Sequence, residues 1–339
     1  MYNKQDIQIG VNFLNFTYHE KSGTHTGFCL VKSCEKKTNK NGGAYLDLVL
    51  SDKSGEINAK LWNYDENIHG FYQPNTLVKV QGTINKFNDV DQLRVDRIRA
   101  AIPADGVKVE DFVAGAVYSG RAMFDELVSI AENFSDRELS LLVKTILTEN
   151  EEKLLYYPAA FKLHHAMRSG LLQHTLSIVR LAQSICRIYP FVDEDLLLGG
   201  AMLHDIAKLD ELVANETGIA SGYSVEGTLL GHLVKGAMLV DKTAERLGVS
   251  HEKAVLLEHM LISHHGDPEF GAAVRPLFIE ADILAALDRL DARIVEVNSA
   301  VNGVEQGAFS NRQWALDNRA FYNHGRVDVT KETDLGLEK

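Results

Sequence analysis

The chain has 339 residues, 45% hydrophobic and 24% charged, which is globular usage and more than one hydrophobic core ordinarily holds. A formal net charge of -12 argues against a protein that coats nucleic acid by charge alone. The three cysteines (Cys29, Cys34 and Cys186) are odd in number and lack metal-ligand spacing, which argues against a disulfide framework.

The charge is uneven. Residues 1–105 hold 13 Lys and Arg against 12 Asp and Glu, a net of +1, which leaves -13 for the remainder. No uncharged run reaches the ~18 residues of a membrane span, and MYNKQDIQIG at the start lacks the apolar core of a signal peptide. These features lead us to expect a cytoplasmic protein with reduced thiols and no membrane partner. Self-association stays open.

Residues 44–50, 57–62, 77–84 and 92–98 mostly alternate apolar and polar side chains, as half-buried strands do. Residues 28–31 (FCLV) form a shorter continuous apolar run. Turn signals separate them at NKNGG (39–43), DKSG (52–55) and NDVD (88–91). Five short strands with one helical or looped break at 65–73 predict a small Greek-key barrel, for which the oligonucleotide-binding barrel, or OB-fold, is the natural candidate. Such barrels stack bases on aromatics and track the backbone with cations. Candidates are Phe28, Tyr45, Trp62 and Phe87, with Lys32, Lys36, Lys37, Lys40, Lys60 and Arg94. Each aromatic is also a candidate for the barrel's own interior.

IPADG at 102–106 reads as a linker, after which the period becomes helical. The predicted organisation is multidomain: an all-β barrel over 1–103, an all-α domain over 104–330 with no strands, and a charged, frayed tail over 331–339, its fraying starting near Val327.

AMLHDIAK at 201–208 sets His204 and Asp205 at the end of an uncharged segment, 196–203, that would be buried on every face of a helix. Burial of an imidazole and a carboxylate demands a partner. His174 occupies the apolar face of a helix that runs to about Ile188. His232, His264, His265 and Asp288 lie on other largely apolar segments, and Asp291 follows one turn after Asp288. Imidazoles and carboxylates without thiolates suit Mn, Fe, Co, Ni or Zn better than Mg or Ca, and argue against a structural zinc site.

The order His174, then His204-Asp205, then Asp288 resembles the HD-domain metal-dependent phosphohydrolases, whose signature is H…HD…D on a helical domain. The extra His232, His264 and His265 resemble members that hold two metals. YPAAFKLHH at 157–165, GLLQHTLS at 170–177 and DKSGEINAKLW at 52–62, behind an OB-like barrel, are similar to the YhaM family of bacterial 3′→5′ exoribonucleases. There are departures. Ser169 and Ala207 stand where that family often has glycine, and Ala285-Ala286 where a bulkier, more polar pair is common. The resemblance implies that His174, His204, Asp205 and Asp288 hold one metal, and Asp205, His232, His264 and His265 the other. Asp205 and Lys208 would be catalytic, with Lys208 neutralising phosphate charge. His164 and His165 would contact substrate phosphate or support the ligands, and Asp291 would be structural. The implied substrate is single-stranded RNA, with single-stranded DNA a further candidate, degraded to nucleoside monophosphates. Two rivals are a phosphohydrolase of nucleotides or cyclic dinucleotides, and a non-catalytic single-strand-binding protein.

Overall fold

A computed structural model describes residues 24–52, 55–87, 90–107, 111–113, 115–161 and 165–338. The chain divides into two units, Met1–Ala114 and Gly115–Lys339, each with its own hydrophobic core.

In the first unit the alternating segments form β1 (Thr24–Thr38), β2 (Ala44–Asp52), β3 (Gly55–Leu61), β4 (Leu77–Phe87) and β5 (Val90–Ala100), with helix α1 (Glu66–His69) between β3 and β4. They close into a barrel in the order β1-β2-β3-β5-β4, with β4 paired back onto β1. Only β3 with β5 is parallel. Leu46, Leu48 and Leu50 of β2 and Ile57, Ala59 and Leu61 of β3 fill the interior at a period of two, so Tyr45, Asp47 and Lys60 face out. β4 bulges at Gly82, where an added Cβ would lie 2.3 Å from the Arg94 carbonyl, so only glycine lets β4 and β5 pair this closely. The first unit extends past the predicted linker because Phe112 is buried, its ring centroid 6.4 Å from that of Phe28.

The second unit holds α2 (Gly120–Glu132), α3 (Arg137–Glu149), α4 (Glu151–Leu154), α5 (Gly170–Ile188), α6 (Glu194–Leu203), α7 (Lys208–Glu211), α8 (Val225–Leu247), α9 (His251–Ser263) and α10 (Ile279–Val301). α6 is the central element. Asp193 caps it, its Oδ1 accepting from the Leu196 N–H at 3.1 Å. Every residue from Leu196 to Leu203 is buried, against α2, α3, α5, α9 and α10. Each leucine so buried contributes about 1.5–3 kcal/mol. Among the described residues no helix is long and apolar enough to cross a membrane.

Two sequence expectations need correction. The domain is not free of strands: β6 (Leu212–Ala214) and β7 (Ala220–Tyr223) pair as an antiparallel hairpin. Strands of three and four residues, one of them ASGY, are too short to show a period. Nor is the tail frayed. Leu335 is 6% exposed in the helical core. The Tyr118 hydroxyl donates to Asp334 at 3.1 Å, and the Arg180 Nε donates to the Leu335 carbonyl at 3.2 Å. Two leucines among charges, Leu335 and Leu337, anchor what a charge count reads as solvated.

Candidate metal centre

α6 delivers His204 and Asp205 directly off its buried end. α5 brings His174, α8 brings His232, the end of α9 brings His264 and His265, and α10 brings Asp288 and Asp291. His174, His204, Asp205, His232 and His264 are all buried.

Asp205 joins two groups. Its Oδ2 lies 3.5 Å from His174 Nε2 and 3.3 Å from His204 Nε2, and its Oδ1 lies 3.3 Å from His232 Nε2 and 3.7 Å from His264 Nε2. Asp288 Oδ1 completes the first group, 3.2 Å from His174 Nε2 and 3.9 Å from His204 Nε2. His265 completes the second, with a donor atom within 4.8 Å of those of His232 and His264.

The imidazoles share one orientation, and their partners explain it. His204, His264 and His265 place Nδ1 at 2.8, 2.8 and 2.9 Å from the carbonyls of Ala201, Leu261 and Phe270. A carbonyl only accepts, so Nδ1 carries the hydrogen and Nε2 is left with a lone pair. Carboxylates do the same for the other two: Asp291 at 2.7 Å from His174 Nδ1 and Glu211 at 3.0 Å from His232 Nδ1. This outward anchoring is how proteins fix metal-ligating histidines. His232 Nε2, His264 Nε2 and Asp205 Oδ1 are buried without a hydrogen bond. Buried polar atoms left so are costly, and a cation among them would satisfy all three at once. The residues therefore fit a divalent metal.

The electrostatics agree. Burial works against the Asp205 carboxylate, but Lys208 and His204 beside it hold its pKa well below the usual range. Burial likewise opposes the Lys208 ammonium, and Asp205 at 2.6 Å more than restores it. Burial pushes His264 down strongly, which suits a neutral ligand. For His174 burial is outweighed by Asp288 and Asp291, and its pKa rises to about 9.

α8 contains the backbone feature that aims His232. Gly231 sits inside it at φ 70° and ψ 167°, a break that frees the His232 N–H to donate to Glu211 at 3.2 Å. That conformation is essentially glycine-only, and a Cβ there meets nothing closer than 3.8 Å. Gly231→Ala should therefore cost about 1–3 kcal/mol through backbone strain alone and weaken metal binding as His232 turns. Unchanged melting and metal titration curves would refute this.

Other predicted residues fall variously. His165 is 4% exposed with its Nε2 3.0 Å from Asp291, so it supports the carboxylate that orients His174. His164 lies outside the described residues. Asp291 does more than pack. The Lys208 side chain is largely covered, 14% exposed. Glu211 was missed, because nothing in sequence links it to a histidine 21 positions on. Ser169 adopts φ 58°, a left-handed conformation that favours glycine, and its hydroxyl donates to the Leu155 carbonyl at 2.7 Å.

On the barrel, Tyr45 and Trp62 form a ring pair with centroids 4.7 Å apart. Register puts Lys37 opposite Tyr45, Lys60 opposite Asp47, and Arg94 beside Lys60, so all share the outer face of β1, β2, β3 and β5. Trp62 is 42% exposed there. Two candidates fall elsewhere. Lys36 pairs in register with the interior Leu46 and lies 5.6 Å over the Tyr64 ring. Phe28 is 6% exposed and cannot offer a ring face to a base; its apolar run FCLV faces the interior and Phe112.

Residues 30–101 match the OB-fold nucleic acid binding domain family and residues 171–293 match the HD domain family. Three bacterial proteins, each named 3′-5′ exoribonuclease YhaM, are similar along most of both lengths. The protein of Listeria innocua is 38% identical over 87% of this chain and 94% of its own. That of Geobacillus sp. is 37% identical over 87% and 90%. That of Bacillus subtilis is 34% identical over 90% and 96%.

Proposed function

The chain belongs to the YhaM family of 3′-5′ exoribonucleases, and from this premise we infer that it is a metal-dependent 3′-5′ exoribonuclease of the HD superfamily. Single-stranded RNA held on the barrel face is its substrate, and nucleoside monophosphates are its products. The observation that carries the reading is the split use of Asp205, one oxygen toward His174 and His204 and the other toward His232 and His264.

His174, His204, Asp288 and one Asp205 oxygen would hold one ion; His232, His264, His265 and the other Asp205 oxygen would hold a second. Nitrogen and oxygen donors of this kind favour Mn, Co, Fe, Ni or Zn. When bound, such a pair supplies Lewis acidity toward a phosphodiester and a nucleophile from water near neutral pH. The chain's own residues prepare the place. Asp291 and Glu211 hold His174 and His232 with Nε2 inward. Lys208 steadies Asp205 and brings a positive charge that would offset an entering phosphate. Tyr45 and Trp62 offer ring faces to bases, with Lys37, Lys60 and Arg94 beside them for the backbone.

Digestion of 5′-labelled single-stranded RNA with Mn or Co should give a ladder shortening from the 3′ end and release monophosphates. Turnover of mononucleotides or cyclic dinucleotides with intact RNA would instead establish the nucleotide hydrolase. A second check concerns Asp291. Replacing an outer carboxylate on a ligating histidine typically lowers metal affinity about 10- to 100-fold, and Asp291→Asn should do so. Metal titration matching wild type would remove Asp291 from this role.

A further inference from the structure

Residues 303–326 contain Arg312, Arg319 and Arg326, no lysine and only two acids, Glu305 and Asp317, so they are a positive stretch within a strongly negative unit. The same stretch exposes Phe309 (67%), Trp314 (79%) and Tyr322 (50%). Scattered exposed apolar side chains are unremarkable, but three exposed aromatics on one short stretch stand out.

The backbone beneath them is fixed. The N–H groups of Gly307, Ser310, Gln313 and Asn323 donate across a short antiparallel ribbon to the carbonyls of Asn323, Phe321, Arg319 and Ala308. Asp317 and Asn318 both have positive φ, 57° and 55°, and the Arg319 N–H donates to the Leu316 carbonyl at 3.1 Å. This is the mirror-image turn that suits a hairpin. Ser310 and Asn323 are buried on the inner side, where Asn323 Nδ2 donates to the Val304 carbonyl at 2.7 Å. Phe309 and Tyr322 are left as a cross-strand pair outside, centroids 5.1 Å apart. The ribbon is tied to α10 by Arg293 and Asp317 at 3.0 Å. Arg293 lies five residues beyond Asp288, about 7.5 Å of helical rise.

Exposed rings on a stretch whose cations are arginines and not lysines suit nucleobases, and Arg312 and Arg319 are each held on the arm by a bond to a backbone carbonyl of the turn, Asn318 and Leu316. Aromatic faces stack on any base, and guanidinium planes both stack and pair with phosphate. We propose that this arm is a second single-strand platform, on the catalytic unit itself, which stacks bases of the RNA upstream of the 3′ end entering the metal centre. The platform rests on the nuclease reading above. It gives the substrate a grip on the unit that carries the chemistry, in addition to the one on the barrel.

The test measures binding of fluorescent single-stranded RNA to the full-length chain, in chelator and well below the unfolding temperature. Phe309→Ala with Tyr322→Ala, and separately Trp314→Ala, should weaken binding about 5- to 100-fold, the loss of one or two stacked bases. The chain has two tryptophans, so in Trp62→Phe the emission reports Trp314 alone and should be quenched on adding RNA. Light scattering of the same samples reads self-association. Wild-type affinity in both variants, with Trp314 emission unmoved, would overturn the platform. So would loss of self-association at unchanged RNA affinity, which makes the arm an interface between copies. If the arm responds to RNA but no monophosphate is ever released, the nuclease reading fails and the platform stands. If RNA is degraded while the arm stays silent, the reverse holds.

Discussion

Asp205→Asn should reduce RNA hydrolysis by about four orders of magnitude, since it removes several kcal/mol of metal-borne stabilisation at ~1.4 kcal/mol per factor of ten. Asp205 alone among the described residues reaches His174, His204, His232 and His264. An amide there offers one oxygen instead of two and no charge. The carboxyl is held far below its normal pKa, by Lys208 and His204 against the pull of burial, so it is charged at any working pH. The same change strands the buried Lys208 ammonium, and breaking a buried pair by removing one partner costs about 3–5 kcal/mol. Loss of activity must therefore be separated from loss of fold, by measuring the rate at temperatures where circular dichroism shows the variant folded. The double variant His204→Ala, Asp205→Ala should lose hydrolysis and keep RNA binding by the barrel. A folded variant retaining a tenth of wild-type rate would exclude the bridging role.

Chelation should give the largest change in stability. A ligand at a thousand times its Kd contributes about 4 kcal/mol, and for a unit of this size that is roughly 10 °C of melting temperature. The physical source is the set of buried groups left without hydrogen bonds, His232 Nε2, His264 Nε2 and Asp205 Oδ1. Calorimetry with and without chelator should show the helical unit's transition fall and the barrel's stay, because the two cores are separate. A helical transition that ignores chelator would mean that no ion holds these residues.

The barrel was legible because its strands are long enough to show alternation, and Leu46, Leu48 and Leu50 are interior as that pattern requires. The HD motif was legible because an imidazole and a carboxylate at the end of an uncharged, buried α6 must either pair or hold a cation. What stayed hidden was whatever depends on distance through space. Glu211 supports His232 only because α8 breaks at Gly231 and folds back over α7. Asp291 gave a usable signal, one turn from Asp288, but sequence could not show that His165 and His174 both hang on it. Phe28 shows the opposite failure: an aromatic at the edge of a barrel has the same composition whether its ring points in or out.

α6 is walled by five neighbouring helices, and its last residues lead without a loop into His204 and Asp205. The proposed metal centre is therefore mounted on the segment whose amides should be slowest to exchange with deuterium. A mount of that kind does not loosen ahead of the core, because Leu196 to Leu203 are all buried among those helices. Heat inactivation should consequently track global melting point for point, and adaptation to cold or heat would have to work through the core of the unit and not through the rim of its active site.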